Sequence, residues 1–212
     1  MPGAQKNPVG TRRQKQKSDT RDLILKIALN HFEKNGYSKT TIRGIASDAG
    51  IAVGTIFSHF KDKFSLLADL IYNDLEAEMW KAIDSIPSRK PIHDQFNHCA
   101  KHFYSYWMKN PDLTKSFLVE LVLSSSEWTQ RFDVQIGLFL QHFEKKLEIM
   151  KKKGQIKTTV DSQIAVASFW SHYFLVLVTE FRNPSPNLKN MLNMLLQMNK
   201  QTLDGISVQQ PA

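Results

Sequence analysis

The sequence lacks the cysteines that staple small secreted proteins. Cys99 is the single cysteine in 212 residues, so no disulfide can close within the chain. The basic stretch from Met1 to Lys17 has no apolar segment after it, so it does not read as a secretory signal. No glycine-rich phosphate loop, nucleophile elbow or metal triad is present. These absences remove the usual signatures of nucleotide, acyl and metal-assisted chemistry, and the chain reads as a non-enzyme with no cofactor. The most apolar stretch, Ile164 to Val178, runs 15 residues and carries Ser168, Ser171 and His172. A membrane span takes roughly 18–20 apolar residues, so this stretch reads as a buried or interface helix and no membrane partner is expected. Strands are missing too: Ile51-Ala52-Val53 is too short and is flanked by glycines.

Acidic and aromatic residues are scarce in one part of the chain only. Residues 1–63 hold 12 Lys and Arg against 5 Asp and Glu, whereas the rest holds 16 against 15. Four of the 22 aromatic residues (Phe32, Tyr37, Phe57 and Phe60) lie in that first part. A basic, aromatic-poor head on a near-neutral, aromatic-rich body suggests a polyanion-binding module joined to a second functional part. The length is enough to bury a core without staples.

What is present is helical periodicity. Residues 1–17 carry Pro2, Gly3, Pro8, Gly10 and five basic residues without an acid, so they are expected as a disordered tail. Ser18, Asp19 and Thr20 offer N-caps for a first helix bearing Leu23, Ile24, Ile27, Ala28 and Phe32, ended by Gly36. Thr40 or Thr41 caps a short second helix closed by Gly50, and a third is expected over about 53–60. Asp62 can cap a long fourth helix. Five more follow over about 92–109, 111–124, 127–153, 161–181 and 187–204. Asn110-Pro111, Ser124-Ser125-Ser126, Gly154, Asn183-Pro184-Ser185-Pro186 and Gly205 punctuate them. The fold class is all-α with nine helices. The expected organisation is a tail (1–17), a head (18–63), a body (64–205) and a polar tail (206–212).

Residues 41–60, TIRGIASDAGIAVGTIFSHF, hold the most specific signal. Two short helices flank a turn at Gly50-Ile51-Ala52, as a helix-turn-helix requires. Gly44, Ala46 and Ala49 let the second helix come close, and Ile45 and Ile56 are placed to pack beneath it. The wider segment from Thr20 to Leu67 resembles the DNA-binding head of the TetR family of bacterial regulators. The resemblance rests on Ile24, Ala28, Phe32, Gly36-Tyr37, Thr41, Ile45-Ala46, Ala49-Gly50, Val53-Gly54-Thr55-Ile56-Phe57, His59-Phe60, Lys63 and Leu66.

That resemblance implies a cytoplasmic, homodimeric transcriptional regulator, a repressor, that binds a palindromic DNA operator and leaves it on binding a small effector. It assigns Val53, Gly54, Thr55, Phe57, Ser58 and His59 to the DNA face, with Thr41 and Arg43 reaching phosphate or base and Lys63 holding a phosphate. The Arg43 fork can read guanine. Phe57 departs from the family, which usually has Tyr there, and loses a phosphate-binding hydroxyl. The basic tail (Lys6, Arg12, Arg13, Lys15 and Lys17) fits either an arm in the minor groove or a solubilising segment. A head used for protein contact or nonspecific DNA coating is the competing reading.

For the body the resemblance implies dimerisation through the last two helices. Phe169, Tyr173, Val176 and Leu177 form one stripe there, and Leu188, Met191, Leu192 and Leu195 form another. Both could equally be intramolecular core. An aromatic effector pocket is expected from Phe103, Tyr106, Trp107, Phe117, Trp128, Phe132 and Trp170, suiting a hydrophobic or aromatic ligand. His98 and His102 stand four apart near His93 and Cys99, but no acidic cluster completes a metal site.

Overall fold

The computed structural model describes residues 12–123 and 126–208. Lys6 and the ends of both tails (residues 1–11 and 209–212) lie outside the described residues, as do Ser124 and Ser125. Among the described residues there are nine helices and no strand; one isolated antiparallel bridge joins Ile156 to Ser207. The chain divides into two compact units, the first ending at Leu70 and the second starting at Ile71.

The first unit holds α1 (Arg12–Lys39), α2 (Ile42–Ala49), α3 (Val53–Phe57) and the start of α4 (Lys63–Asp84). Helix α1 starts well before the expected caps. Arg12 to Lys17 are helical rather than disordered, because Arg, Gln and Lys are good helix formers and no Gly or Pro interrupts them. At Gly36 the backbone leaves the helical region (φ 73°), and the chain then turns toward α2. The Thr41 side chain accepts from the Gly44 amide at 3.1 Å and caps α2. Gly50 ends it in the left-handed conformation. Asp62 accepts from the Ser65 amide at 2.7 Å at the start of α4. Ile24, Ala28, Phe32, Ile45, Ile56 and Leu66 form the buried core of this unit.

The second unit continues α4 and adds α5 (Ile92–Trp107), α6 (Pro111–Leu123), α7 (Glu127–Lys152), α8 (Ser162–Phe181) and α9 (Leu188–Ile206). Ser126 and Thr129 close a reciprocal capping box on α7. Asp161 caps α8, and Asn187 caps α9. Gly205 lies inside α9 instead of ending it. The helix runs on until the Lys157 amide donates to the Ile206 carbonyl at 3.0 Å and the Val208 amide to that of Gln155 at 3.2 Å. Helix α9 packs on α5 and α8, and α7 packs on α8. Phe96, Tyr104, Phe117, Phe143 and Phe169 are fully buried. With its ends included, α8 has 20 residues and is long and apolar enough to cross a membrane by length and composition. One of its faces is instead buried in this unit, through Phe169, Tyr173, Val176 and Leu177.

Candidate functional site

In the head, α2 and α3 are joined by the turn at Gly50–Ala52, where the Ile51 amide donates to the Ala46 carbonyl at 3.1 Å. Ile45 and Ile56 are fully buried. With 3.6 residues per turn, an inward Ile56 puts Gly54 and Ser58 on the opposite side of α3, with Thr55 and Phe57 flanking them. Gly54, Phe57 and Ser58 are exposed, as are Thr41 and Arg43 on α2; Val53, Thr55 and His59 are half-buried. Phe57, with 54% of its surface exposed, is an unusually open large apolar residue. The arrangement presents a short helix whose outward surface is uncharged, next to one arginine. Gly44 serves a different close approach from the one expected. A Cβ there would meet the His31 ring of α1 at 3.4 Å and the Thr41 hydroxyl at 3.2 Å.

Three expectations for the head change. Helix α3 ends at Phe57 and not near Phe60. The Ser58 hydroxyl donates to the Thr55 carbonyl at 2.7 Å, and the His59 and Phe60 amides turn back onto Ile56, which buries Phe60. Ser58 thus spends its donor locally. Lys63 points at protein rather than outward. Its ammonium donates to the carbonyls of Tyr37 at 2.7 Å and Thr40 at 3.0 Å and lies 4.4 Å from the centre of the Tyr37 ring. Its chemistry there is to cap the end of α1.

In the second unit a cavity of about 80 Å³ opens among α4 to α8. Phe103, Trp107, Phe117, Phe132 and Trp170 line it, as expected. Tyr106 and Trp128 do not. The Tyr106 hydroxyl donates to Asp74 at 3.3 Å outside it, and Trp128 packs on Tyr72 and under Arg131. Tyr106 thus finds a carboxylate for its hydroxyl, and Trp128 a cation over its ring. The cavity adds Leu75, Met79, Leu118, Ile136 and Phe139. Sequence reasoning missed Phe139, and its helical spacing with Phe132 and Phe143 is the signal that could have found it. Two polar groups at the wall are paired within the protein: the Trp107 indole donates to the Tyr173 hydroxyl at 2.8 Å, and the Gln135 amide donates to the Tyr72 carbonyl at 3.2 Å. Such a lining selects an apolar occupant.

The bacterial regulatory protein family, tetR family, matches residues 24–70, which are the helix-turn-helix and its flanking helices. Over those residues the chain is similar to the TetR family. The transcriptional regulator AcrR of Shigella flexneri is 39% identical over 75 residues, covering 35% of this chain and 31% of that protein. The fatty acid metabolism regulator protein of Bacillus subtilis is 24% identical over 151 residues, 71% of this chain and 78% of that one. Thermus thermophilus FadR, a TetR family repressor solved with lauroyl-CoA, superposes with a TM-score of 0.70. That match has 16% identity, covering 90% of this chain and 97% of that one; it shows the shared all-α fold.

Most residues of the stripes expected at a dimer interface are buried within this unit. Phe169, Tyr173, Val176, Leu177, Met191 and Leu195 are buried within the unit, and Leu188 and Leu192 are half-buried. The Tyr104 and Tyr173 rings stack at 4.7 Å, and the Tyr104 hydroxyl donates to the Tyr173 carbonyl at 2.9 Å. Because α8 is apolar nearly all round, its periodicity did not reveal which side faces inward. The outward side carries Ile164 and Leu175, and α9 exposes Met194.

Among the described residues no group of three metal-ligating side chains is assembled. The His98 ring bonds the Ser85 hydroxyl at 3.0 Å, while His102 lies 3.6 Å from Glu78. Cys99 is buried, which pushes its thiol up to about 12 and keeps it protonated and unreactive.

Proposed function

We propose that this chain is a dimeric transcriptional repressor that binds a palindromic operator and is released by an apolar effector. The first unit is the DNA reader and the second is the sensor and dimerisation unit. The observation that carries this reading is the pairing, in one chain, of an outward α2–α3 surface within the segment similar to the TetR family with an apolar cavity. Arg43 supplies base or phosphate recognition, Thr41 a phosphate contact, and Val53, Gly54, Thr55, Phe57 and His59 a surface shaped to base edges and sugar.

The effector class follows from the cavity lining and from the lauroyl-CoA bound by Thermus thermophilus FadR. We assign a long-chain acyl group. The cavity of about 80 Å³ is smaller than the roughly 150 Å³ of an engineered apolar cavity that admits benzene. An acyl chain must therefore push helices apart to enter. Helix α4 carries Leu75 and Met79 at the cavity and Lys63 on the carbonyls that follow α1, so it is the element through which that opening reaches the head. The outward faces of α8 and α9, with Ile164, Leu175 and Met194, form the self-complementary contact of the dimer. The protein works in the bacterial cytoplasm without catalysing a reaction.

The test is selection of an operator from random duplexes with the full chain, followed by titration with lauroyl-CoA. The expected result is a preference of about 10³-fold or more over unrelated DNA at physiological salt, lost on adding the acyl thioester. By linkage, operator DNA must weaken acyl binding by the same factor. A specificity ratio near one would instead support nonspecific coating or protein contact by the head.

A further inference from the structure

Arg12, Arg13, Lys15 and Lys17 crowd the first described turns of α1, whose first turn contains no acid.

Helix α1 is also firmly held where it meets the end of α3. The Arg21 guanidinium donates to Asp69 at 2.8 Å, lies 4.4 Å over the Phe60 ring, and donates to the His59 carbonyl at 3.4 Å. Its charge is thus matched by a buried carboxylate. One turn earlier on the same face are Lys17 and Ser18, and two turns earlier is Gln14. With Arg21 they line a cleft of about 330 Å³ whose other wall is Ser58 and His59. Among the described residues no carboxylate pairs with Lys17. His59 is held below the ordinary imidazole range, first by burial and then by Lys17 and Arg21, so the cleft has a net positive field.

We infer that this cleft binds a backbone phosphodiester of duplex DNA beside the segment read by α3, with Lys17 as its charged ligand and Gln14 as a second donor. The inference rests on the DNA-binding reading of the head. It explains how the head holds the backbone when Phe57 has no hydroxyl, Ser58 donates to Thr55, and Lys63 is turned onto main-chain carbonyls. It also replaces a flexible minor-groove arm, for residues 12–17, with a rigid helical contact at fixed distance from α3.

The experiment compares wild type, Lys17→Ala, Gln14→Ala/Lys17→Ala and Lys26→Ala on the selected operator and on an unrelated duplex across a salt series. Lys26 is exposed on α1 more than two turns from Lys17 and does not line the cleft, and its variant controls for loss of one charge. For Lys17→Ala the slope of log affinity against log salt should become shallower by about 0.9 per protomer, with equal weakening on both duplexes. Lys26→Ala should leave the slope in place. Replacing operator phosphates one at a time by neutral methylphosphonates should reveal a flanking position that weakens wild type but not Lys17→Ala. An unchanged slope for the double variant, equal loss in Lys26→Ala, or no such position overturns the inference while operator binding stands. If wild type binds no duplex at all, both the inference and the DNA reading fail.

Discussion

The Lys63 ammonium lies 2.7 Å from the main-chain carbonyl of Tyr37 and 4.4 Å from the centre of the same residue's ring. A lysine at the start of α4 thereby secures the loop that leads from α1 to α2. Replacing it with methionine keeps the aliphatic stem and removes the charge-assisted bonds. Lys63→Met should lower stability by about 1–2 kcal/mol, read by urea unfolding of the full chain. Unchanged stability with weakened DNA binding would return Lys63 to a phosphate role.

Gly54 and Gly50 should respond in opposite ways to alanine. Nothing lies within 4 Å of a Cβ at Gly54, and its backbone is helical. Gly54→Ala should therefore leave the fold as stable or up to about 1 kcal/mol more so. Operator affinity should fall, since the added methyl stands on the surface proposed to approach DNA. Gly50→Ala meets no neighbour either, but its φ of 65° strains an L residue and should cost about 1–2 kcal/mol. Unaltered operator affinity in Gly54→Ala would remove that position from the interface.

Tyr173 ties α8 to α5 at the cavity wall. Tyr173→Phe leaves the stacking with Tyr104 intact but strands the buried Trp107 indole N–H. The expected loss is about 1–3 kcal/mol, seen in thermal or denaturant unfolding together with a change in tryptophan emission. A variant as stable as wild type would mean that water or another acceptor replaces the hydroxyl.

The outward residues of α8 and α9 should separate the proposed dimerisation from folding. Leu175→Glu combined with Met194→Glu changes outward residues that are 55% and 53% exposed. Sedimentation should show folded monomers, with operator affinity much reduced. Phe169→Ala changes the fully buried side and should cost about 3–5 kcal/mol of stability. If the double glutamate variant still sediments as a dimer, the partner contact lies elsewhere.

Stability should fall in two stages on acidification. Burial is the leading cause that holds His59, His98 and His142 below the ordinary imidazole value. Around pH 6.5 and below, the unfolded chain binds protons that the folded chain refuses, so stability declines as the pH drops from neutral. Burial pushes the Glu78 carboxyl up, but the bond and charge of Lys81, with Lys109 and His102, outweigh it and hold the group below the ordinary carboxylate range. Its contribution persists above that range and is lost on further acidification. Unfolding midpoints at pH 7.5 and 5.5 check the first stage, and His142→Gln should flatten it.

The head was largely legible because its signals are local. Thr41, Gly50 and Asp62 act on backbone groups within a few residues, and Ile45 and Ile56 follow from helical spacing within one short motif. The cap and turn assignments therefore survive in the structure. The start of α1 was misplaced because an available cap at Ser18 competes with the helix propensity of the residues before it, and propensity won. The destination of Lys63, a set of carbonyls some 25 residues earlier, leaves no trace in local sequence.

In the body, periodicity is enough to specify helices but not their orientation. Helix α8 is apolar on nearly every side, so inward Phe169 and Tyr173 and outward Ile164 and Leu175 look alike in one dimension. The same ambiguity separated Phe103 and Trp107, which reach the cavity, from Tyr106 and Trp128, which do not. Composition and spacing were sufficient for an all-α chain with a helix-turn-helix. Which apolar face turns inward was decided by packing against α5, α7 and α9, because burial depends on neighbours distant in sequence and not on the residue's own type.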